Sequence, residues 1–188
     1  MGSDDKLLQR IQFSYDANGN KITSTTFRSQ GDTLIPLVST YTYDASNRRI
    51  TTTDPLRSVL RHEYNPRGLL SATVDALGRR TESTYDTRGQ HTTTRYPDAT
   101  STSKTYDNAA RLLTSVDPEG RTTRYGYDEM GRQIRTTLPD GSQGQNIWSP
   151  AGRLLATIDA GGNRTDYQYD GVGRQTKTLL PMVTDART

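Results

Sequence analysis

Eight times this chain repeats one phrase: an aromatic residue, Asp or a substitute, two free residues, then Gly or a substitute, often followed by Arg. It reads YDANGN at Tyr15, YDASNR at Tyr43, YNPRGL at Tyr64 and YDTRGQ at Tyr85. It continues as YDNAAR at Tyr106, YDEMGR at Tyr127, WSPAGR at Trp148 and YDGVGR at Tyr169. From Tyr43 onward every step is 21 residues, and only the step from Tyr15 to Tyr43 is 28. A fixed period in this range implies a stacked repeat architecture, in which each unit relies on its neighbours to bury anything. A residue present in eight copies is also poor material for a single active site.

Composition narrows the choice of repeat. Leu, Ile, Val and Phe together make up 31 of the 188 residues, too few for a thick core. Such a content accompanies disorder when net charge is high, but here the formal charge is only +3. Thr supplies about one residue in six and Tyr numbers 11, and both residue types favour strands. A thin β-sheet fits these numbers better than a globule. The chain has no cysteine, so it has no disulfide and no thiolate metal site. No apolar run reaches 18 residues, so no transmembrane helix is expected. The opening MGSDDKLLQR lacks the pattern of a signal peptide. The pI of 9.2 comes from basic residues spread along the repeat, without the cluster of charge and aromatics that a nucleic-acid site uses.

One repeat reads as a pair of turns and a pair of strands. In Asp128-Glu129-Met130-Gly131, Asp opens a type I turn and Gly takes the left-handed position at its end. A strand of about six residues, Arg132 to Thr137, leads to a second turn at Leu138-Pro139-Asp140-Gly141. The second turn recurs at Asp54, Asp75, Tyr96, Asp117 and Asp159, and its alternation from Tyr96 onward hints at a true period of 42. Two turns per 21 residues is the density of an antiparallel meander of about 16 strands. The turn geometry sets Asp128 against Arg132, Asp170 against Arg174 and Asp44 against Arg48. Asp75 and Asp117 face Arg79 and Arg121 in the same way. Exposed pairs of this kind contribute about 0.2–1 kcal/mol each and mainly hold register. Phe13, Tyr41, Tyr125 and Tyr167 lie two residues before a head ring and so share its face. The longer first step reads as an extended hairpin turning near Ser29-Gln30-Gly31-Asp32, with Pro36 marking an edge or a bulge. Asn47 and Ala110 stand where the other copies have Gly, and both are expected in the left-handed region.

The phrase resembles the YD repeat, also called the rearrangement-hotspot or Rhs repeat. The stretch from Tyr106 to Arg174 carries the resemblance most closely, and the likeness extends from about Phe13 to Pro181. Proteins of this kind wind β-hairpins into a hollow shell. In bacterial Rhs effectors and Tc toxins the shell encloses a toxic domain; in teneurins it belongs to a cell-surface adhesion protein. The resemblance therefore implies an all-β fold, a curved strip or spiral of hairpins with 21 residues per repeat. It further implies a non-catalytic section of the wall of a secreted toxin, without the plug, toxin or closing run of a complete shell. Its partners are expected to be further repeats, or other copies through open sheet edges, and an encapsulated toxin domain. The resemblance also implies a secreted or cell-surface location for the parent protein.

On this reading residues 1–12 are an opening segment and leading strand, 13–181 the eight-unit array, and 182–188 a tail. The residues expected to carry the structure are the eight head rings with Asp128, Gly131, Arg132, Asp170, Gly173 and Arg174. No catalytic, cofactor-binding or metal-binding residue is expected. Asp117-Pro118-Glu119-Gly120 is similar to the run near the family's aspartyl autoprotease site, but Arg121 comes after it, and an ordinary turn accounts for it. His62 and His91 occupy different offsets in their repeats and have no carboxylates at ligand spacing. The alternative to a purely structural role is a carbohydrate- or partner-binding module, with glycans stacked on the aromatic rows.

Overall fold

The computed structural model describes residues 10–30 and 33–181. Residues 1–9, the hairpin tip at 31–32 and the tail at 182–188 lie outside the described residues. Among the described residues sixteen strands succeed one another. They are β1 (Arg10–Tyr15), β2 (Lys21–Gln30), β3 (Thr33–Tyr43), β4 (Arg49–Thr53), β5 (Val59–Tyr64), β6 (Leu70–Val74), β7 (Arg80–Tyr85) and β8 (His91–Arg95). Then come β9 (Ser101–Tyr106), β10 (Leu112–Val116), β11 (Thr122–Tyr127), β12 (Gln133–Thr137), β13 (Gln143–Trp148), β14 (Leu154–Ile158), β15 (Arg164–Tyr169) and β16 (Gln175–Leu179). Their order in the sheet is their order in sequence, and no described residue is helical. The chain divides into two compact units, 1–84 with 95–99 and 85–94 with 100–188.

Local chemistry explains why each turn forms. The N–H of Gly131 donates to the carbonyl of Asp128 at 3.0 Å, and the N–H of Asp128 donates to the carbonyl of Arg132 at 3.0 Å. The same pair of bonds recurs at Asp44, Asp75, Asp117 and Asp170. The aspartate side chain then locks the loop. In Asp170, Oδ1 accepts the N–H of Val172 at 3.1 Å and of Arg174 at 2.9 Å, leaving Oδ2 for the guanidinium. Any short side chain with an acceptor oxygen can do the first part of this work. Asn65 does so toward Arg67 and Leu69, and the Ser149 hydroxyl accepts from the N–H of Arg153 at 3.0 Å.

The fourth turn position is left-handed whatever residue occupies it. Gly131 has φ of 80°, while Asn47 and Ala110 have 59° and 67°. Arg57 and Ala99 do the same in the second kind of turn, at 67° and 69°.

The two kinds of turn differ in the strand pairing behind them. Behind the second kind the ladder is regular, as in Thr137↔Gln143, Thr136↔Gly144 and Arg135↔Gln145. Behind the aromatic phrase it slips by one residue: Tyr127 faces Gln133, but Gly126 faces Arg135. Ile134 is the extra residue of a β-bulge, and Ile22, Ile50, Ser71, Leu113, Leu155 and Thr176 repeat the slip. Such a bulge interrupts the ladder and bends its strand locally.

The long first hairpin pairs without interruption from Thr23↔Thr40 to Gln30↔Thr33. Pro36 faces Phe27 in that regular register, while β4 reaches only Thr40 to Tyr43 of the same strand. Pro36 therefore lies on an edge and not at a bulge, where its missing N–H costs no ladder bond.

Among the described residues only Ala72 and Ala156 are fully buried, at 1% and 0% exposure. The sheet has no apolar core in the ordinary sense. Backbone strain should then register directly in stability. Ala110→Gly and Ala99→Gly are each expected to stabilise by about 1 kcal/mol, because glycine enters the left-handed region without steric penalty. Gly131→Val should destabilise by more than that. Urea titration of the three variants checks the order, and a neutral or harmful Ala110→Gly would count against the turn described above.

Candidate functional site

The repeated phrase builds one unit of contacts, and that unit ties each repeat to the next. Its first part is the ion pair expected from the turn. Asp128 and Arg132 meet at 2.6 Å, and the pairs Asp44–Arg48, Asp75–Arg79, Asp117–Arg121 and Asp170–Arg174 lie at 2.6–2.7 Å. Asp107–Arg111 adds a sixth at 2.6 Å.

The guanidinium then reaches forward. Arg132 lies over the Trp148 ring, 5.7 Å from its centroid, and donates to the Ser149 carbonyl at 2.8 Å. Arg111 stacks on Tyr127 at 5.1 Å and donates to the Asp128 carbonyl at 3.2 Å. Arg48 covers Tyr64 at 4.7 Å and Arg153 covers Tyr169 at 5.9 Å. A cation over a ring face within about 6 Å is attracted by the ring quadrupole. The contact also shelters the ion pair. Arg132 is 22% exposed, whereas Arg121, whose turn leads to no such ring, is 62% exposed.

The ring reaches backward. Tyr127 Oη donates to the Leu112 carbonyl at 2.9 Å, and Tyr169 Oη donates to the Leu154 carbonyl at 2.8 Å. Tyr43 reaches Lys21, Tyr64 reaches Arg49 and Tyr106 reaches His91 in the same way. Trp148 does it with its indole N–H, which donates to the Gln133 carbonyl at 3.0 Å. Lys21, Arg49, Leu112, Gln133 and Leu154 each stand immediately before the extra residue of a bulge. The ring thus delivers a donor where the ladder is broken. Trp and Tyr are the aromatic residues able to do this, since Phe has nothing to donate.

Glycine serves this joint as well as the turn. A Cβ on Gly173 would come within 2.9 Å of the Arg153 guanidinium, and one on Gly68 within 3.3 Å of Arg48. The second aromatics also meet cations: Lys21 Nζ sits 5.1 Å from the Phe13 centroid and 5.2 Å from that of Tyr41.

The turn carboxyls of Asp16, Asp44, Asp75, Asp107, Asp159 and Asp170 are held below their ordinary range. For Asp44 and Asp170 the main cause is the hydrogen bond from the arginine side chain, followed by the arginine backbone N–H. For Asp159 the Asn163 amide takes the first role. His62 is pushed down by partial burial and by the charge of Arg49. His91 packs edge-on against Tyr85 at 5.4 Å, with Nε2 3.1 Å from Thr94 Oγ1. Asp117-Pro118-Glu119-Gly120 is a turn like its fellows, with the Gly120 N–H donating to the Asp117 carbonyl at 3.0 Å. Among the described residues no group of three or more His, Cys, Asp or Glu side chains converges as a metal site.

The forward and backward contacts were not foreseen from the sequence, although a signal was present. Arginine precedes the next ring by 16 residues at Arg48, Arg111, Arg132 and Arg153. The bulge has no such signal, since Ile, Leu, Ser and Thr all supply its extra residue.

Comparison with known proteins places the chain in a family. The family described as RHS Repeat matches residues 15–59, 64–101, 106–143 and 148–181, so it takes two aromatic phrases as one repeat. The crystal structure of TcdB2-TccC3-Cdc42 aligns over 90% of the chain with a TM-score of 0.69 and 16% identity. A Tc holotoxin pore from Photorhabdus luminescens aligns over 90% with a TM-score of 0.69 and 17% identity. The chain spans 11% of the length of each of these proteins. No curated protein matches it in sequence.

The joint yields two expectations. Tyr127→Phe should cost about 0.5–1.5 kcal/mol by leaving the Leu112 carbonyl without its side-chain donor. Trp148→Phe should fall at the low end of that range, because Asn146 Nδ2 also donates to the Gln133 carbonyl at 3.1 Å, and Trp148→Tyr should cost less still. Equilibrium unfolding of the three variants checks this. Acid should loosen the array as well. Folded, aspartates such as Asp44, Asp75 and Asp170 hold their protons less tightly than in the unfolded chain, so their contribution is complete above about pH 3.9, the unfolded value. It is lost as pH falls through the lower folded values. Urea midpoints measured between pH 7 and pH 2 should fall at the acid end.

Proposed function

Since the chain belongs to the RHS repeat family, we propose that it serves as a non-catalytic length of wall in the shell of a secreted toxin of the Rhs or Tc type. One observation carries this reading. The repeated residues are spent on holding the next repeat: aspartate closes its turn, arginine grips the ring ahead, and the ring donates to the strand behind. A lattice of that kind extends a sheet.

The Tc structures that share this fold support the toxin context, and their greater length supports a section of a larger wall. Geometry agrees. Sixteen strands at about 4.8 Å each make roughly 77 Å of sheet. Even closed into a ring, that is about 24 Å across between backbones, and inward side chains would take about 10 Å of it. A folded domain of about 100 residues is roughly 33 Å across. Enclosure therefore requires many more repeats, which are the natural partners of this segment, with a toxin domain as the cargo. The glycan-binding alternative has less to stand on, because Arg48, Arg111, Arg132 and Arg153 already cover a face of four head rings.

Limited proteolysis tests the proposal. A folded domain supplied in trans to this chain alone should be digested as fast as the free domain. The same domain within the parent protein should resist digestion. Protection by the isolated chain would overturn the wall-section reading, and equal digestion within the parent would overturn the shell.

A further inference from the structure

Where the period accounts for a residue, the repeat explains it; residues that depart from the period require another account. One departure lies on the sheet face opposite the head rings. Directly paired strand residues share a face, so the register places Thr114, Arg124, Thr137 and Gln143 in one row. Gly126, Arg135 and Gln145 form the next row of that face.

The corresponding triples elsewhere are balanced, neutral or, at Glu82, Thr84 and Thr93, acidic. Arg61 stands two residues from Glu63, and Asp166 belongs to the same triple as Lys177. Ser103, Thr105 and Thr114 are neutral, as are Gln145, Ile147 and Ala156. Only Arg124, Gly126 and Arg135 combine two cations with no acid. Arg80 is neutralised by Glu63 and Glu82, and Arg164 by Asp166, at 2.7–2.9 Å. Neither Arg124 nor Arg135 has an ion-pair partner among the described residues, and both are exposed.

Gly126 brings the two charges together. It lies within β11, outside any turn, and its φ is not left-handed, so the backbone does not require glycine there. A glycine inside a strand often marks the close approach of another group. Here the Arg135 side chain folds across it, with Nε 3.5 Å and Nη2 3.8 Å from where a Cβ would be. That position is two residues along the strand from Arg124, about 6.8 Å away. The register thus sets Arg124 and Arg135 in adjacent rows of one face, beside Gln143 and Gln145 and with no carboxylate in either row. Like charges so placed repel, and an anion between them would remove the repulsion. Side chains two apart on an extended peptide repeat at the same distance of about 6.8 Å.

We infer that Arg124 and Arg135 form a docking site for an acidic polypeptide segment in extended conformation, with carboxylates at alternate residues meeting the two guanidiniums. Arginine suits the task because its planar fork pairs a carboxylate through two parallel bonds. Gln143 and Gln145 would meet the peptide backbone. The surface lies on the face away from the head rings, so it leaves the joints between repeats intact.

Fluorescence anisotropy with a labelled oligo-glutamate peptide at low ionic strength is the test. The native chain should bind saturably, and binding should weaken as salt rises. The Arg124→Gln, Arg135→Gln double variant should bind about tenfold more weakly or not at all. Gly126→Glu, which copies the acid at Glu63, should do the same, and its Cβ fits at ordinary contact distance. Arg95→Gln, at an exposed arginine in the other unit, should bind like the native chain. Absence of saturable binding overturns the proposal, as does binding that survives the double variant or Gly126→Glu. An equal loss in Arg95→Gln would reduce it to unspecific charge attraction. Binding of alginate, a uronate polysaccharide, without binding of oligo-glutamate would assign the two arginines to a carbohydrate and overturn the peptide.

Discussion

A sheet in which, among the described residues, only two alanines are fully buried has no apolar core to rest on. Every other feature of the chain answers to that constraint. Strand must be fastened to strand by bonds that work half in water, where a single exposed ion pair contributes little. The repeat meets the difficulty by giving each group more than one partner. Arg132 pairs with Asp128, lies on Trp148 and donates to the Ser149 carbonyl. The ring shields the ion pair, and the ion pair fixes the cation over the ring. Networks of this kind are worth more than isolated pairs.

The bulge gives the joint its direction. It breaks the ladder behind the aromatic phrases, as at Tyr127, and leaves the break for the ring of the next phrase to reach, as Trp148 does at Gln133. The guanidinium points up the chain while the ring hydroxyl points down it. A central repeat is therefore held twice, by the one before and by the one after. A one-dimensional array with strong nearest-neighbour coupling is the energetic consequence.

Much of this was legible in the sequence, for identifiable reasons. Turn chemistry is local, so Asp128, Gly131 and the left-handed Asn47 and Ala110 could be placed from spacing alone. The strand count and the Asp–Arg pairs came from the same turns. The hidden part depends on register. No residue type announces the slip at Ile134, and without that slip nothing marks the Gln133 carbonyl as a target for Trp148. The forward reach of Arg48 to Tyr64 was written in a constant spacing of 16 residues, but it gains meaning only once the two are known to stand on neighbouring hairpins. Likewise the pairing of Arg135 with Gly126 joins residues whose relation depends on the bulge between them.

The ring and the guanidinium both aim at backbone carbonyls, and every residue has one. Apart from the ring beneath the guanidinium, the joint between repeats therefore asks little of the side chains of the neighbour it grips: the hydroxyls of Tyr43, Tyr106 and Tyr169 donate to the carbonyls of Lys21, His91 and Leu154. A whole unit could be duplicated, lost or exchanged for one from another chain, and the new neighbours would fit without matched substitutions. The 28-residue first step shows the same tolerance within one chain, since Tyr43 reaches Lys21 across a hairpin lengthened by seven residues. In such a design the length of the array is an inheritable variable that changes in unit steps, while the chemistry of the seam stays constant.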